Sequence, residues 1–518
     1  MKKFVKWTSF ILLALAVTLG GGGYALFKIK NRPPQLANPN YFEVYKAQLA
    51  DPEAMTPVGN VAIFISGLIM PEDFQLADFH NLSLKSRQYI PWPIRARAGA
   101  DIGVLLLDPH KFYETEAFVP TRLVDPYGSD TDVDGIAYVD KFRRGEIRWV
   151  APSARQHLDH GYFLYEGRQG GMPMPAQKLI NKARVYYYGK GKGFVNGKVP
   201  HAAGNWAIVQ PTLQNLQAKY GSVPYRWVSA ENFALARQYI VELLDGGADT
   251  IVFAPPRPIY SHHEEFNGSI KHTMHYIHDW EETHNKQIKL IVTPQLGQFP
   301  VIFETYANML RDRLDTMQKG ADVKVVVSVH GMAWDLVPHE AWIELSPQYV
   351  EGTMETIRNV LLQYDLGRTE VVQAQDHFAD PVNNPNGTYL STNKAFWDGI
   401  NEDYDYVINL PIEFFAENTD TMFSHAMFNF EHFPGFDIYE PVDYSDWSKP
   451  YTRTFNIDGT SIIYNGLPLG HYNKPIIAAY TQAIDSILSR WKPPNPKKER
   501  STSGLDNATA QNVPMQQE

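Results

Sequence analysis

Residues 321–335 set the strongest limit on how this chain can fold. From Val323 to Val329 every residue except Lys324 and Ser328 is valine. A short, nearly unbroken β-branched run reads as a strand covered on both faces, the habit of parallel sheets. It stops at His330-Gly331. In open α/β sheets ligands sit beyond the carboxyl ends of the strands. His330 is therefore a candidate functional residue, with an ordinary turn histidine as the plainer alternative. Gly331 lets the backbone turn away without a Cβ clash.

The pattern recurs along the chain. Apolar, β-branched runs predict strands over 61–66, 102–107, 183–188, 250–254, 289–293, 370–375 and 407–410. Helical spacing of apolar residues predicts helices over 230–244, 303–318, 349–363 and 396–401. Such alternation predicts an α/β fold built on parallel sheets. With 518 residues the chain is too long for one ordinary core, so two domains plus extensions are expected, and the alternation suggests two related α/β halves. The expected division is a linker over 33–59, an N-terminal domain over 60–285, a C-terminal domain over 286–490 and a polar, disordered tail over 491–518.

Residues 1–32 have their own logic. Lys2, Lys3 and Lys6 precede 21 uncharged residues, 7–27, and Lys28, Lys30 and Arg32 follow. At 1.5 Å per residue such a helix spans roughly 30 Å, the hydrocarbon thickness. This predicts a single-pass signal anchor with the body on the extracytoplasmic, periplasmic side of the cell membrane; a cleaved signal peptide is the other reading.

Charge and composition narrow the chemistry. A net charge of −10 argues against nucleic acid as a partner. The absence of cysteine removes disulfides, thiolate metal sites and thiol nucleophiles. Any metal must use nitrogen and oxygen. Asp130, Asp132 and Asp134, followed by Gly135, match the opening of a calcium loop, with a solvated acidic turn as the alternative. His262 and His263, beside Glu264 and Glu265, are candidate metal ligands, of which at most two can face one ion. His272, His275 and His278 continue the enrichment on a predicted helix. A hydrolase using His and Asp is a further reading, although neither a Gly-x-Ser-x-Gly elbow nor a His-Glu-x-x-His helix is present.

Three motifs, in order, resemble the ferrochelatase family of tetrapyrrole metal chelatases. Val326-Val-Ser-Val-His-Gly-Met332 is similar to that family's strand and catalytic histidine. Leu410-Pro-Ile-Glu-Phe-Phe-Ala-Glu-Asn-Thr-Asp-Thr-Met422 is similar to its P-I-x-F-x-[SA]-D-H-x-E-T-L motif. Residues 251–261 and 267–269 are similar to its P-x-Y-S loop, which marks Tyr260. The resemblance covers about residues 230–430. It implies two similar α/β domains around a porphyrin cleft. It implies that His330 takes pyrrole protons or binds the metal, and that Asp420, standing at the family's Glu, delivers the ion. Glu417 stands at the family's Asp and Asn418 at its second His, and both are implied to line the tetrapyrrole site. The implied function is insertion or removal of a divalent metal, iron or similar, in a tetrapyrrole; the alternative is a non-catalytic tetrapyrrole- or metal-binding protein on the same fold.

Overall fold

A computed structural model describes residues 40–66, 147–150, 162–165, 201–228, 233–331, 341–376, 379, 384, 386–417, 421, 425–430, 432–436 and 450–493. The chain begins with α1 (Tyr41–Ala50), where Asn40 caps the helix by accepting the Phe42 N–H at 3.1 Å. It buries Tyr41, Phe42 and Tyr45. Part of the expected linker over 33–59 is thus a packed helix. β1 (Val61–Ser66) follows, buried at all six positions. β2 (Ile147–Val150) and β3 (Tyr162–Tyr165) form an antiparallel pair. Then come α2 (His201–Tyr220), β4 (Tyr225–Val228), α3 (Phe233–Asp245), β5 (Thr250–Phe253), α4 (Ile270–His284) and β6 (Lys289–Val292).

The second half runs α5 (Phe303–Leu314), β7 (Val323–Val329), α6 (Ala341–Leu361), β8 (Thr369–Gln375), α7 (Thr392–Asn401), β9 (Tyr406–Pro411), a short α8 (Ala426–Asn429), the hairpin β10 (Arg453–Ile457) and β11 (Thr460–Tyr464), and α9 (Asn473–Leu488). β7 is buried at all seven positions, Lys324 included, which agrees with its near-continuous valine run. Lys324 lies 2.9 Å from Glu370 and 3.2 Å from Glu402, so its charge is compensated at the bottom of the strand.

Among the described residues, the strands other than β2 and β3 form two α/β sheets. The first has order β4-β1-β5-β6, parallel throughout. The second has order β10-β11-β9-β7-β8, parallel except for the edge strand β10. In each, the half's first strand lies between its second and its third. That order creates a switch point between first and third strands, where chain connections leave in opposite directions and open a crevice. In the first sheet the switch lies between β1 and β5, in the second between β7 and β9.

Contacts run across residue 286 and between the two sheets. β6 pairs with β5, so the first sheet runs past residue 286. α9 packs against α2 of the first half, and its Tyr480 hydroxyl donates to the Ala254 carbonyl at 2.5 Å. One apolar cluster joins Val252 and Ile291 of the first sheet to Val325, Val327, Ile408 and Leu410 of the second through α9 residues such as Ile484 and Ile487. Trp491, expected in the disordered tail, donates its indole N–H to the Gly59 carbonyl. The expected strands over 102–107 and 183–188, the predicted membrane span and residues 494–518 lie outside the described residues. Among the described residues no helix is long and apolar enough to cross a membrane.

Candidate functional site at the carboxyl edge of the second sheet

Side chains alternate across a strand. Along β7 the valines at 323, 325, 327 and 329 face the shared cluster, whereas Val326 joins the smaller cluster on the opposite face. Ser328 and His330 fall on that second face, where the strand turns polar at its end. Gly331 then takes a φ of +76°, a conformation that suits glycine.

His330 is half-buried. Its backbone N–H donates to Glu413 Oε2 at 2.8 Å. Glu413 follows β9, so this bond spans the switch point. Its Nδ1 lies 2.5 Å from the Gly331 carbonyl oxygen. A carbonyl only accepts, so Nδ1 carries the hydrogen and Nε2 the lone pair. Such a nitrogen accepts a proton or ligates a cation.

A second imidazole stands beside it. The rings of His330 and His425 have centroids 5.0 Å apart and planes tilted by 60°. Phe414 contacts both, at 5.5 Å from His330 and 6.0 Å from His425. His425 Nδ1 is 3.4 Å from Asp376 Oδ2. Asp376 is the residue after β8, so the ends of β7, β8 and β9 all contribute.

The first half reaches the same place. Arg257, in the loop after β5, lies 4.0 Å from Glu413, 3.5 Å from Glu265 and 5.1 Å from the centre of the Phe414 ring. All three charged side chains are buried. Burial pushes the Glu413 carboxyl above its ordinary range, a rise that the Arg257 charge and the His330 N–H oppose. A buried carboxyl that holds its proton to higher pH can exchange it with a neighbouring base.

Several other expected residues have partners of their own. Tyr260 is fully buried, its hydroxyl 3.0 Å from that of Thr293 and its ring against Tyr45 and Phe266. His262 is buried against Phe42 and Phe266, and its Nδ1 accepts the Ala341 N–H at 2.8 Å. That bond engages the Nδ1 lone pair and makes His262 a side-chain cap for α6. Burial lowers its pKa to about 4. Glu417 is buried, accepting from the Thr421 hydroxyl at 2.6 Å and the Leu467 N–H at 3.4 Å, and burial raises its pKa. His275 and His278 sit on an exposed face of α4, the latter 3.3 Å from Glu282. The side chain of His263, together with Asn418, Asp420, Asp130, Asp132 and Asp134, lies outside the described residues.

Asp376, Glu413, Arg257 and His425 are the site residues that sequence reasoning missed. Asp376 stands one position beyond β8 and Glu413 two beyond β9, the rule that singled out His330. Among the described residues no group of three or more His, Asp or Glu side chains is placed to hold a metal. The two imidazoles supply a pair of nitrogens, a donor type that suits zinc, copper, iron and nickel.

No family model matches this chain, and no curated protein matches it. Among solved structures it is similar to SirB from Bacillus subtilis with Fe3+, at 9% identity and a TM-score of 0.32, over 55% of this chain and 89% of that one. It is also similar to a putative LacI-family transcription repressor from Corynebacterium glutamicum, at 11% identity and 0.24, over 55% and 86%. A sugar transporter from Clostridium phytofermentans follows, at 13% and 0.19, over 41% and 68%.

Proposed function

We propose that this chain handles a divalent metal ion and a tetrapyrrole at the carboxyl edge of the second sheet, inserting the metal or removing it. The observation that carries the reading is the pair of imidazoles, His330 and His425, 5.0 Å apart beside a switch point, with Glu413 bonded to the backbone of His330. Insertion releases two pyrrole protons. The Nε2 lone pair of His330 can take one, and Glu413, whose carboxyl holds its proton unusually well, is suited to take the second. Phe414 offers an apolar face beside both imidazoles for a flat macrocycle. Asp420, at the position of the resembling family's glutamate, is proposed as the carboxylate that delivers the ion.

The second reading is a binder without turnover. It is favoured by Asn418, which stands where the resembling family has a second base. Absorption spectra of the full chain with porphyrin, then with cobalt(II) added, separate the two. Conversion to the metalloporphyrin spectrum at a rate above the protein-free control supports catalysis. Porphyrin binding without acceleration supports the binder, and no spectral change in either step ends both readings.

The uncharged residues 7–27 are proposed to anchor the body outside the cytoplasm. A reporter fused after residue 40 is then active only where export is required. Activity of a cytoplasm-dependent reporter at that position would sink the proposal.

A further inference from the structure

We infer that Asp376 is a positioning residue, which fixes the His425 imidazole with its hydrogen on Nδ1 and its lone pair on Nε2. Asp376 is 4% exposed, and burying a carboxylate is costly unless its oxygens are satisfied. Here they are. Oδ1 accepts the Thr392 hydroxyl at 2.6 Å and the Asn429 side-chain N–H at 3.0 Å. Oδ2 accepts the Ser328 hydroxyl at 3.1 Å and stands 3.4 Å from His425 Nδ1. Ser328 is itself oriented, because its oxygen receives the Asn409 side-chain N–H at 3.0 Å and its single hydrogen is left for Asp376. The donors come from β7, α7 and α8, so the carboxylate is clamped from three sides.

A clamped, acceptor-only group settles the tautomer of the imidazole it faces. His425 must place its hydrogen on Nδ1 to meet Oδ2, and its lone pair then sits on Nε2. His330 has the same tautomer for a different reason, its bond to the Gly331 carbonyl. Two neighbouring imidazoles, each fixed through Nδ1, give a matched pair of Nε2 lone pairs. Carboxylates behind ligating histidines act in this way, and their loss typically weakens a metal about 10–100-fold.

The assignment deepens the proposed metal reading, yet its first test does not need a metal. In the full chain with 15N-labelled histidine, long-range proton–nitrogen correlation at alkaline pH reports the His425 tautomer, with the signal assigned by its loss in His425→Ala. The expected result is Nδ1–H. In Asp376→Asn the amide oxygen is drawn to the side of Thr392 and Asn429, where two donors converge, so its NH2 faces the ring and the tautomer reverses. Cobalt(II) affinity then falls about 10–100-fold, whereas in a His425→Ala background the same substitution changes it by no more than about twofold. A wild-type Nε2–H tautomer overturns the assignment, and this holds even if Asp376→Asn does not fold. So does an equal loss of cobalt in both backgrounds, the mark of a purely structural role. A wild-type chain with the Nδ1–H tautomer that takes up no cobalt ends the metal reading and leaves the role of Asp376 standing.

Discussion

His330 contributes its backbone and its ring to different tasks. The backbone N–H satisfies Glu413, while the ring meets Gly331, Phe414 and His425. His330→Ala removes only the ring and leaves the buried carboxylate its donor. The half-buried side chain contributes little packing, so stability should change by no more than about 1 kcal/mol. Cobalt(II) binding should fall at least about tenfold, the order expected when one of two ligands is lost. A thermal melt and a cobalt titration on the same preparation check both. Glu413→Ala should behave in the opposite way. It strips the acceptor from the His330 N–H and leaves Arg257 with Glu265 as its remaining buried carboxylate. Removing one partner of a buried ion pair costs about 2–4 kcal/mol, read as a lowered urea midpoint. A Glu413→Ala chain as stable as wild type would mean that the triad carries no net interaction.

At the scale of elements, α6 begins where His262 accepts the Ala341 N–H, and this cap titrates. The folded-state pKa of about 4 lies below the ordinary histidine value of 6.5, so the folded chain prefers the neutral ring. Between those values the unfolded chain binds the proton and the folded one does not. Stability from this group is therefore full above pH 6.5 and declines as pH falls toward 4, by roughly 3 kcal/mol in all. His262→Gln can keep an acceptor without titrating, so the difference in melting temperature between wild type and variant should shrink across that window. A constant difference would refute the cap. The same segment shows what could be read in advance. β1 and β7 are legible because continuous apolar runs have one reading, a strand buried on both faces. α1 is not, since its aromatic residues have poor helix propensity, and Phe42 and Tyr45 are held by contacts with Tyr260, His262 and Phe266 some 200 residues away. His330 is legible because it ends a strong strand. His425 and Arg257 are not, because each reaches the site through tertiary placement that no local pattern encodes.

For the whole molecule, the decisive element is α9. Its residues Ile476, Ala479, Tyr480, Ala483, Ile484, Ile487 and Leu488 are all buried, a spacing of three and four that puts them on one broad face. That face is claimed by both halves. Tyr480 donates to Ala254 beyond β5, and Asp485 pairs with Lys219 of α2 at 2.7 Å. Tyr472, just before the helix, bonds Asp312 of α5. A helix late in the sequence thus completes the core of the first half. It also holds the loop after β5 at a fixed height, and that loop delivers Arg257 to Glu413. Because one cluster spans both sheets, the halves should unfold together. Ile484 is fully buried, and Ile484→Ala deletes methyl groups from the shared cluster, at a cost of about 2–5 kcal/mol. Hydrogen exchange then gives the discriminating measurement. Amides of β1, in the first sheet, and of β7, in the second, should have the same opening free energy in wild type, and the substitution should lower both by the same amount. If β1 loses protection while β7 keeps it, the halves have separate cores, and the geometry of the site does not depend on α9.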